Sequence, residues 1–89
     1  MLGQTEEYKK LITELIQKQM VVLGPNIALD KARKAAGLKV AGDGSVAELS
    51  GDPQMVLKAV ANEYAELSGS VAWQTLNALL QKYPSVKML

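Results

Sequence analysis

The chain lacks cysteine, histidine and phenylalanine, and its only aromatic residues are one tryptophan and three tyrosines among 89 residues. Without cysteine or histidine there are no disulfides, no thiolate or imidazole metal ligands, and no Cys or His to serve as nucleophile or general base. These absences exclude the enzyme classes that use a cysteine or histidine as nucleophile, general base or metal ligand. We therefore expect a non-catalytic protein with no catalytic residues, no cofactor and no metal site.

An excess of charge of either sign is also lacking. Ten Lys and Arg residues oppose nine Asp and Glu residues, and the resulting net charge of +1 favours no class of partner. The most apolar stretch near the N-terminus, residues 11–23, contains Glu14, Gln17 and Lys18, so it is neither a membrane span nor the core of a signal peptide. We expect a cytoplasmic protein that does not enter a membrane.

The length of the chain is enough for one small hydrophobic core, and no linker, repeat or low-complexity tract divides it. Residues 1–89 are therefore predicted to form a single small domain. The last five residues alternate polar and apolar side chains and end on two apolar ones. This pattern predicts that the C-terminus packs back on the domain, or that the chain is a module of a longer parent.

The most informative stretch is residues 37–53, which is typical of a β-hairpin followed by the start of a helix. Asp43-Gly44 favours a two-residue type I′ turn, because both residues tolerate the positive φ angles that this turn requires. The turn predicts two strands, at about residues 38–41 and 46–49. The hairpin separates two helical halves of the chain.

The same turn fixes the register of the two strands. The predicted pairs are Leu38 with Leu49, Lys39 with Glu48, Val40 with Ala47, Ala41 with Val46, and Gly42 with Ser45. Opposed residues share a face of the sheet. The apolar face, which is expected to pack on helices, consists of Leu38, Val40, Ala47 and Leu49. The other face carries the Lys39–Glu48 pair in solvent.

Apolar side chains that recur every three or four residues predict helices on both sides of the hairpin. The first covers about residues 5–23, and its apolar last turn, residues 20–23, is predicted to be deeply buried. Pro25 begins a second helix over about residues 25–36, which Gly37 terminates. Asp52 is the predicted N-cap of a third helix that begins at Pro53.

The sequence after residue 67 leaves two possibilities. Ser68, Gly69 and Ser70 are poor helix formers, yet the apolar spacing continues roughly in phase as far as Tyr83. We favour one long helix that is bent at Gly69, and two short helices are the alternative. The predicted fold class is α+β and predominantly helical, in the order α-α-β-β-α or α-α-β-β-α-α.

Two patterns could suggest ligand chemistry at the hairpin. Gly42-x-Gly44-x-x-Ala47 formally matches a dinucleotide-binding fingerprint, but a strand follows where that motif needs a helix. Oxygen ligands for Ca²⁺ or Mg²⁺ are present in Asp43, Ser45, Glu48 and Asp52. Their spacing is not that of a metal-binding loop, and each has a structural role in the hairpin or the helix cap.

A small group of basic residues lies on the second helix and the first strand. This basic cluster consists of Lys31, Arg33, Lys34 and Lys39. It could contact the phosphates of a nucleic acid. The weak net charge and the lack of interleaved aromatic residues favour the other interpretation, that the cluster is the solvated face of an amphipathic helix.

A two-stranded sheet is marginal in isolation, and its edges and its second face need to be covered. The last helical segment is also apolar over a wide arc. The candidate interface residues are Ala41, Val46, Val71, Trp73, Leu76 and Leu80. They predict a homodimer, formed by pairing of hairpin edges or of helices, or docking on another protein domain.

The sequence therefore predicts a non-catalytic protein–protein interaction or oligomerisation module of unknown pathway. A small nucleic-acid-binding protein that uses the basic cluster is one alternative. A small-ligand or metal-dependent enzyme is the other, and the missing histidine and cysteine make it the weakest of the three.

Overall fold

The structure is a computed structural model that describes residues 2–86, with side chains from Thr5 onward. Over these residues the elements are α1 (Leu2–Leu23), α2 (Pro25–Arg33), β1 (Leu38–Val40), β2 (Val46–Leu49), α3 (Pro53–Ser68) and α4 (Ser70–Lys82). The two strands form one antiparallel sheet. The predicted fold class, α+β and predominantly helical with the order α-α-β-β-α-α, is confirmed.

Helix α1 is the centre of the molecule and contacts α2, α3, α4 and β2. Its four central apolar residues, Leu11, Ile12, Leu15 and Ile16, are fully buried. The largest fully buried side chain is Tyr64 of α3, and its hydroxyl donates a hydrogen bond of 2.8 Å to the Ala28 carbonyl of α2. Burial raises the pKa of Tyr64 above its ordinary value, so the hydroxyl stays protonated and the bond is kept.

The prediction that the last turn of α1 is deeply buried is wrong. Val21 is 87% exposed and Val22 is 55% exposed, while Met20 and Leu23 are only partly buried against the core. The helix extends past the core at this end and joins α2 through Gly24 alone. Val21 and Val22 thus reach solvent because the neighbouring helices cover only the face of this turn that carries Met20 and Leu23.

Helix α2 begins at Pro25 as predicted but ends at Arg33, before Ala36. The amides of Lys34 and Ala35 donate to carbonyls three residues earlier, which tightens the end of the helix into a narrower turn. The chain then enters β1 through Gly37, which has the positive φ expected of a terminating glycine.

The hairpin has a different turn from the one predicted. Gly44 has a φ of 91°, but Asp43 has a negative φ, and the Gly44 amide donates to the Ala41 carbonyl at 3.0 Å. This is a three-residue loop of the type I turn and glycine bulge kind rather than a type I′ turn. The Asp43 carboxylate stabilises it by accepting hydrogen bonds from the amide and the hydroxyl of Ser45, at 2.9 and 2.6 Å.

The strand register is correct at one end of the hairpin and wrong at the other. Leu38 pairs with Leu49 and Lys39 with Glu48 as predicted, and the Lys39–Glu48 ion pair is 3.4 Å long and exposed. Beyond them a bulge pairs Val40 with Val46, so the predicted Val40–Ala47 pair does not form. The extra residue turns Val46 into the core and leaves Ala47 exposed, which reverses their predicted faces.

On its outer edge, each strand forms a hydrogen bond with a side chain from a neighbouring helix. The Val46 amide of β2 donates to the Thr13 hydroxyl of α1 at 3.0 Å. On the other side, the Arg33 guanidinium of α2 donates to the Val40 carbonyl of β1 at 3.2 Å. Pairing of hairpin edges between two copies would have to break these contacts, because both occupy backbone groups that point away from the partner strand.

The region predicted as one bent helix contains two helices, α3 and α4. The side chain of Asp52 caps α3 as predicted, by accepting a 3.0 Å bond from the Gln54 amide. Gly69 interrupts the helical path with φ 56° and ψ −126°, a conformation that glycine adopts far more readily than other residues. Its amide still bonds to Ala65, and its carbonyl accepts from Ala72 in the first turn of α4.

After α4 the chain turns back on the domain. The Val86 amide donates to the Tyr83 carbonyl, and the Val86 side chain is buried. The part of the predicted C-terminal packing that concerns residues 87–89 lies outside the described residues.

Candidate interaction surface

The structure divides the six predicted interface residues between the core and the surface. Val46 and Leu76 are buried inside the chain, at 8% and 1% exposed, so in this fold neither forms part of a surface. Leu80 is partly buried against the core. Ala41, Val71 and Trp73 are exposed. The sequence placed Val46 on the surface because it did not predict the bulge, and Leu76 because it did not show which side of α4 packs on α1.

Three of the four residues of the basic cluster are bonded within the chain, and the fourth, Lys34, is exposed. Lys31 lies between two carboxylates of α3, at 3.7 Å from Glu63 and 3.4 Å from Glu66. Lys39 pairs with Glu48, and the Arg33 guanidinium is bonded to β1. Cations that are already neutralised or bonded within the chain release few counterions on binding phosphate, so this geometry gives a nucleic acid little to bind.

The residues considered for a metal site also have structural partners. Asp43 is bonded to Ser45, Glu48 to Lys39, and Asp52 to the first turn of α3. Hydrogen bonds from Ser45 hold the pKa of Asp43 below its ordinary value. Within residues 2–86, no group of three or more Asp or Glu side chains is placed to hold a metal ion.

A cluster of polar side chains joins the C-terminal end of α4 to α1. One carboxylate oxygen of Glu14 accepts a 2.8 Å bond from the Lys82 ammonium, and the other accepts a hydrogen bond from the Tyr83 hydroxyl. The bond to Lys82, followed by the bond to Tyr83, lowers the pKa of Glu14. The bond to Glu14 raises the pKa values of Lys82 and Tyr83.

Replacing Glu14 with glutamine is expected to destabilise the protein at neutral pH and to have little effect in acid. The pKa of Glu14 is lower in the folded chain than in the unfolded chain, so its contribution is present above the unfolded value of 4.5 and is lost as the pH falls through the folded value. Urea unfolding of the wild type and of Glu14→Gln, from neutral pH down to about pH 3, measures the difference. A difference that stays constant over this range would contradict the assignment.

Among the concavities on the surface of the described residues, two have a volume of about 360 Å³ each. The first lies beside the Glu14 cluster. The second is lined mainly by apolar side chains at the junction of the hairpin and α3, among them Met55 and Val56. Its one charged residue, Asp52, is engaged in capping α3. The second concavity therefore holds no convergent set of free polar groups that would select a small ligand, whereas the first is lined by charged side chains, among them Glu6, Lys9 and Lys10.

The exposed apolar side chains are concentrated at the two helix junctions, Gly24 and Gly69. Seven large apolar residues are exposed in the described part of the chain, and six of them lie within four residues of one of these glycines. We call these six the junction surface: Val21, Val22, Ile27, Leu67, Val71 and Trp73. The seventh, Met55, lies in the first turn of α3.

Two hydrogen bonds place the two junctions at the same end of the molecule. Gln19, near the end of α1, lies 3.2 Å from the hydroxyl of Ser68, which is next to Gly69. The Tyr64–Ala28 bond connects the last turns of α3 to the first turn of α2. The junctions are thus neighbours, and their exposed apolar side chains belong to one end of the helix bundle.

The side chain of Gln19 is fully buried among these contacts. Its Nε2 atom has no hydrogen-bond partner, while the single Ser68 hydroxyl proton has two acceptors, Gln19 Oε1 and the Tyr64 carbonyl at 3.1 Å. Rotating the amide by half a turn lets Nε2 donate to the hydroxyl, which then donates to Tyr64. In that orientation Gln19, Ser68 and Tyr64 form one chain of bonds that ties α3 to α1.

The junction surface coincides with the two longest segments that carry no charge. No Asp, Glu, Lys or Arg occurs in residues 19–29, and none occurs in residues 67–81, although such residues make up 21% of the chain. The whole outer face of α4 before Lys82 is therefore neutral. Depletion of charge is the compositional property that distinguishes the centre of a protein interface from ordinary surface. This depletion is visible in the sequence alone.

No protein-family model, curated protein or solved structure matches the chain. The function therefore has to be inferred from the chain's own residues. Among residues 2–86, no helix has the length and apolar character needed to cross a membrane.

Proposed function

We propose that the protein is a non-catalytic, cytoplasmic oligomerisation module that forms a homodimer, and that the junction surface binds a second copy of the chain. The observation that carries the proposal is the location of six of the seven exposed large apolar side chains at one end of the molecule, within charge-free segments. Contiguous apolar patches on soluble proteins mark sites of association.

The neutrality of the surface favours a second copy over a different partner. Residues close to a two-fold axis approach their own symmetry mates, so like charges there would repel. Residues 19–29 and 67–81 contribute no such charge. A surface that had evolved for a charged partner would instead carry the complementary charge at its centre.

The alternative mode of association, edge pairing of hairpins, has less support. Thr13 and Arg33 already bond to the outer edges of β2 and β1. Of the predicted interface residues on the hairpin, only Ala41 is exposed. Association through the helices is therefore the mode that we propose.

Sedimentation equilibrium of the wild type and of the double variant Val21→Lys/Val71→Lys tests the proposal. One substitution lies at each junction, and both side chains are exposed, so the fold of a single chain is preserved while charges enter the interface. We expect the wild type to sediment at micromolar concentration as a species of twice 9.6 kDa, and the variant as a monomer. Circular dichroism shows whether the variant remains folded.

The matched control is Ala47→Lys/Met55→Lys. Both residues are exposed, one on β2 and one on α3, and neither belongs to the junction surface. This variant has the same net charge as the test variant and is expected to remain a dimer. The proposal would be refuted by a wild type that is monomeric at micromolar concentration, or by a control variant that dissociates as readily as the test variant. If the wild type is instead a monomer that binds a different protein domain through these residues, the partner of the junction surface is that domain and not a second copy.

A further inference from the structure

We propose that the two copies exchange helix α4, with Gly69 as the hinge. In the exchanged dimer α3 and α4 of each chain form one continuous helix over residues 53–82, and α4 packs on α1 of the other copy. This inference rests on the proposed homodimer and specifies how the second copy is held. It follows from the geometry of the hinge, the phase of the apolar residues and the surface that straightening would create.

The hinge is a single residue in open space. Gly69 alone separates Ser68, the last residue of α3, from Ser70, the first residue of α4. Its φ of 56° and ψ of −126° are the only break in the helical path, and no atom lies within 4 Å of the position where a Cβ would be. A change in the backbone angles of this one residue is therefore enough to join the two helices, and a side chain at this position would meet no neighbouring group.

The apolar residues of α3 and α4 are already in phase for a single helix. The buried residues Leu57, Ala61 and Tyr64 are followed by Ala72, Leu76 and Leu79, and the part-buried Ser68 lies between the two sets. Every step between these seven positions is three or four residues, so in an undivided helix they form one continuous face. This continuity is the reason that the sequence favours one long helix, although the single chain folds with two.

Exchange preserves the contacts that hold α4. Lys82 and Tyr83 bond to Glu14 of α1, and Leu76 and Leu79 are buried in the core. In the exchanged dimer the same contacts form with α1 of the other copy. The two states then differ only in the conformation of the hinge and in any new contact between copies, which is the condition under which domain swapping occurs at low cost.

Straightening also creates a new neutral stripe across the hinge. In a continuous helix the exposed residues Leu67, Val71, Gln74 and Ala78 lie at positions i, i+4, i+7 and i+11 and share one face. None of them is charged. Two such helices can therefore pack against each other beside the two-fold axis, which gives the exposed Leu67 and Val71 a partner without repulsion.

Replacing Gly69 with alanine tests the role of the hinge. Alanine favours a helical conformation over glycine and disfavours a positive φ, so the substitution destabilises the bent hinge and stabilises the straight one. Because both chains of the dimer benefit, we expect the dissociation constant to fall by about 100-fold or more. Gly51→Ala is the matched control, since Gly51 also has a positive φ and open space but lies outside the α3–α4 junction. The dimer of the Gly51→Ala variant is expected to have the same dissociation constant as the wild type.

Cross-linking within the native sequence tests the exchange itself. Chains labelled with ¹⁴N and ¹⁵N are unfolded together, refolded and treated with a carbodiimide, which couples the Lys82 ammonium to the Glu14 carboxylate 2.8 Å away. Exchange is expected to give cross-linked peptides that join a ¹⁴N segment to a ¹⁵N segment. Unmixed peptides from a sample that sediments as a dimer, or a dissociation constant that Gly69→Ala leaves unchanged, would overturn the exchange and leave the homodimer standing. A sample that is monomeric would overturn both.

Discussion

Replacing Tyr64 with alanine is expected to lower the free energy of unfolding by about 4 kcal/mol. Tyr64 is the largest fully buried side chain in the described part of the protein, and its hydroxyl is bonded to the Ala28 carbonyl. The substitution leaves a cavity at the contact of α2 and α3 and also removes the hydrogen bond that joins the two helices there. Small domains have about 5–15 kcal/mol of stability, so this loss is a large fraction of it.

Tyr64→Phe is the matched control for this prediction. Phenylalanine fills the same volume and removes only the hydroxyl, so the loss is expected to be about 1 kcal/mol, the net contribution of one hydrogen bond to a carbonyl that stays within helix α2. Urea unfolding followed by circular dichroism measures both variants. Equal losses for the two variants would mean that the ring itself contributes nothing and would contradict the packing at this site.

Replacing Gly37 with alanine is expected to cost about 3 kcal/mol. Gly37 has a φ of 84°, and a Cβ at this position would lie 2.4 Å from the carbonyl oxygen of Ser50. The Gly37 carbonyl also accepts a hydrogen bond of 2.8 Å from the Ser50 amide. The clash therefore involves the two residues whose hydrogen bond closes the open end of the hairpin. Backbone atoms on both sides have to shift, which disturbs the contact of the hairpin with α3.

Two other glycines separate the causes of this effect. Gly51 has nearly the same φ, 83°, but no atom lies within 4 Å of its Cβ position, so Gly51→Ala measures the conformational cost alone. Gly42 has neither a positive φ nor a close neighbour, and Gly42→Ala is expected to be nearly neutral. Thermal unfolding should rank the variants in the order Gly37, Gly51, Gly42, from most to least destabilised. If Gly51→Ala destabilised the protein more than Gly37→Ala, the contact with the Ser50 carbonyl would not be the main cost of the Gly37 substitution.

The hairpin shows how far local sequence signals extend. Asp43-Gly44 marks the turn correctly, and the pairs Leu38–Leu49 and Lys39–Glu48 follow from counting outward from it. The dipeptide is compatible with more than one loop, however, and the hydrogen bonds of the Asp43 carboxylate select the three-residue form. The bulge that compensates for this loop turns Val46 inward against α1, which residues near the turn cannot specify.

The candidate surface was predicted only in part. Val71 and Trp73 were identified from the apolar arc of the last helix and are exposed, whereas Leu76 of the same arc is core. Val21 and Val22 were assigned to the interior, because periodicity shows which residues are apolar and not where the neighbouring helices stop. The two charge-free segments could have been found in the sequence, since absence of charge needs no knowledge of packing.

The sequence by itself determined the first helix, the starts of the second and third helices at Pro25 and Pro53, the cap at Asp52, the location of the hairpin and the absence of charge in residues 19–29 and 67–81. These features depend on contacts between residues close in the chain or on composition. Only the tertiary structure decided that the last helical region divides at Gly69, that Val46 rather than Ala47 faces the core, and that α1 ends in solvent. Each of these depends on what α1 and its neighbours cover, and the physical reason is that burial is a property of the assembled helices and not of any one segment.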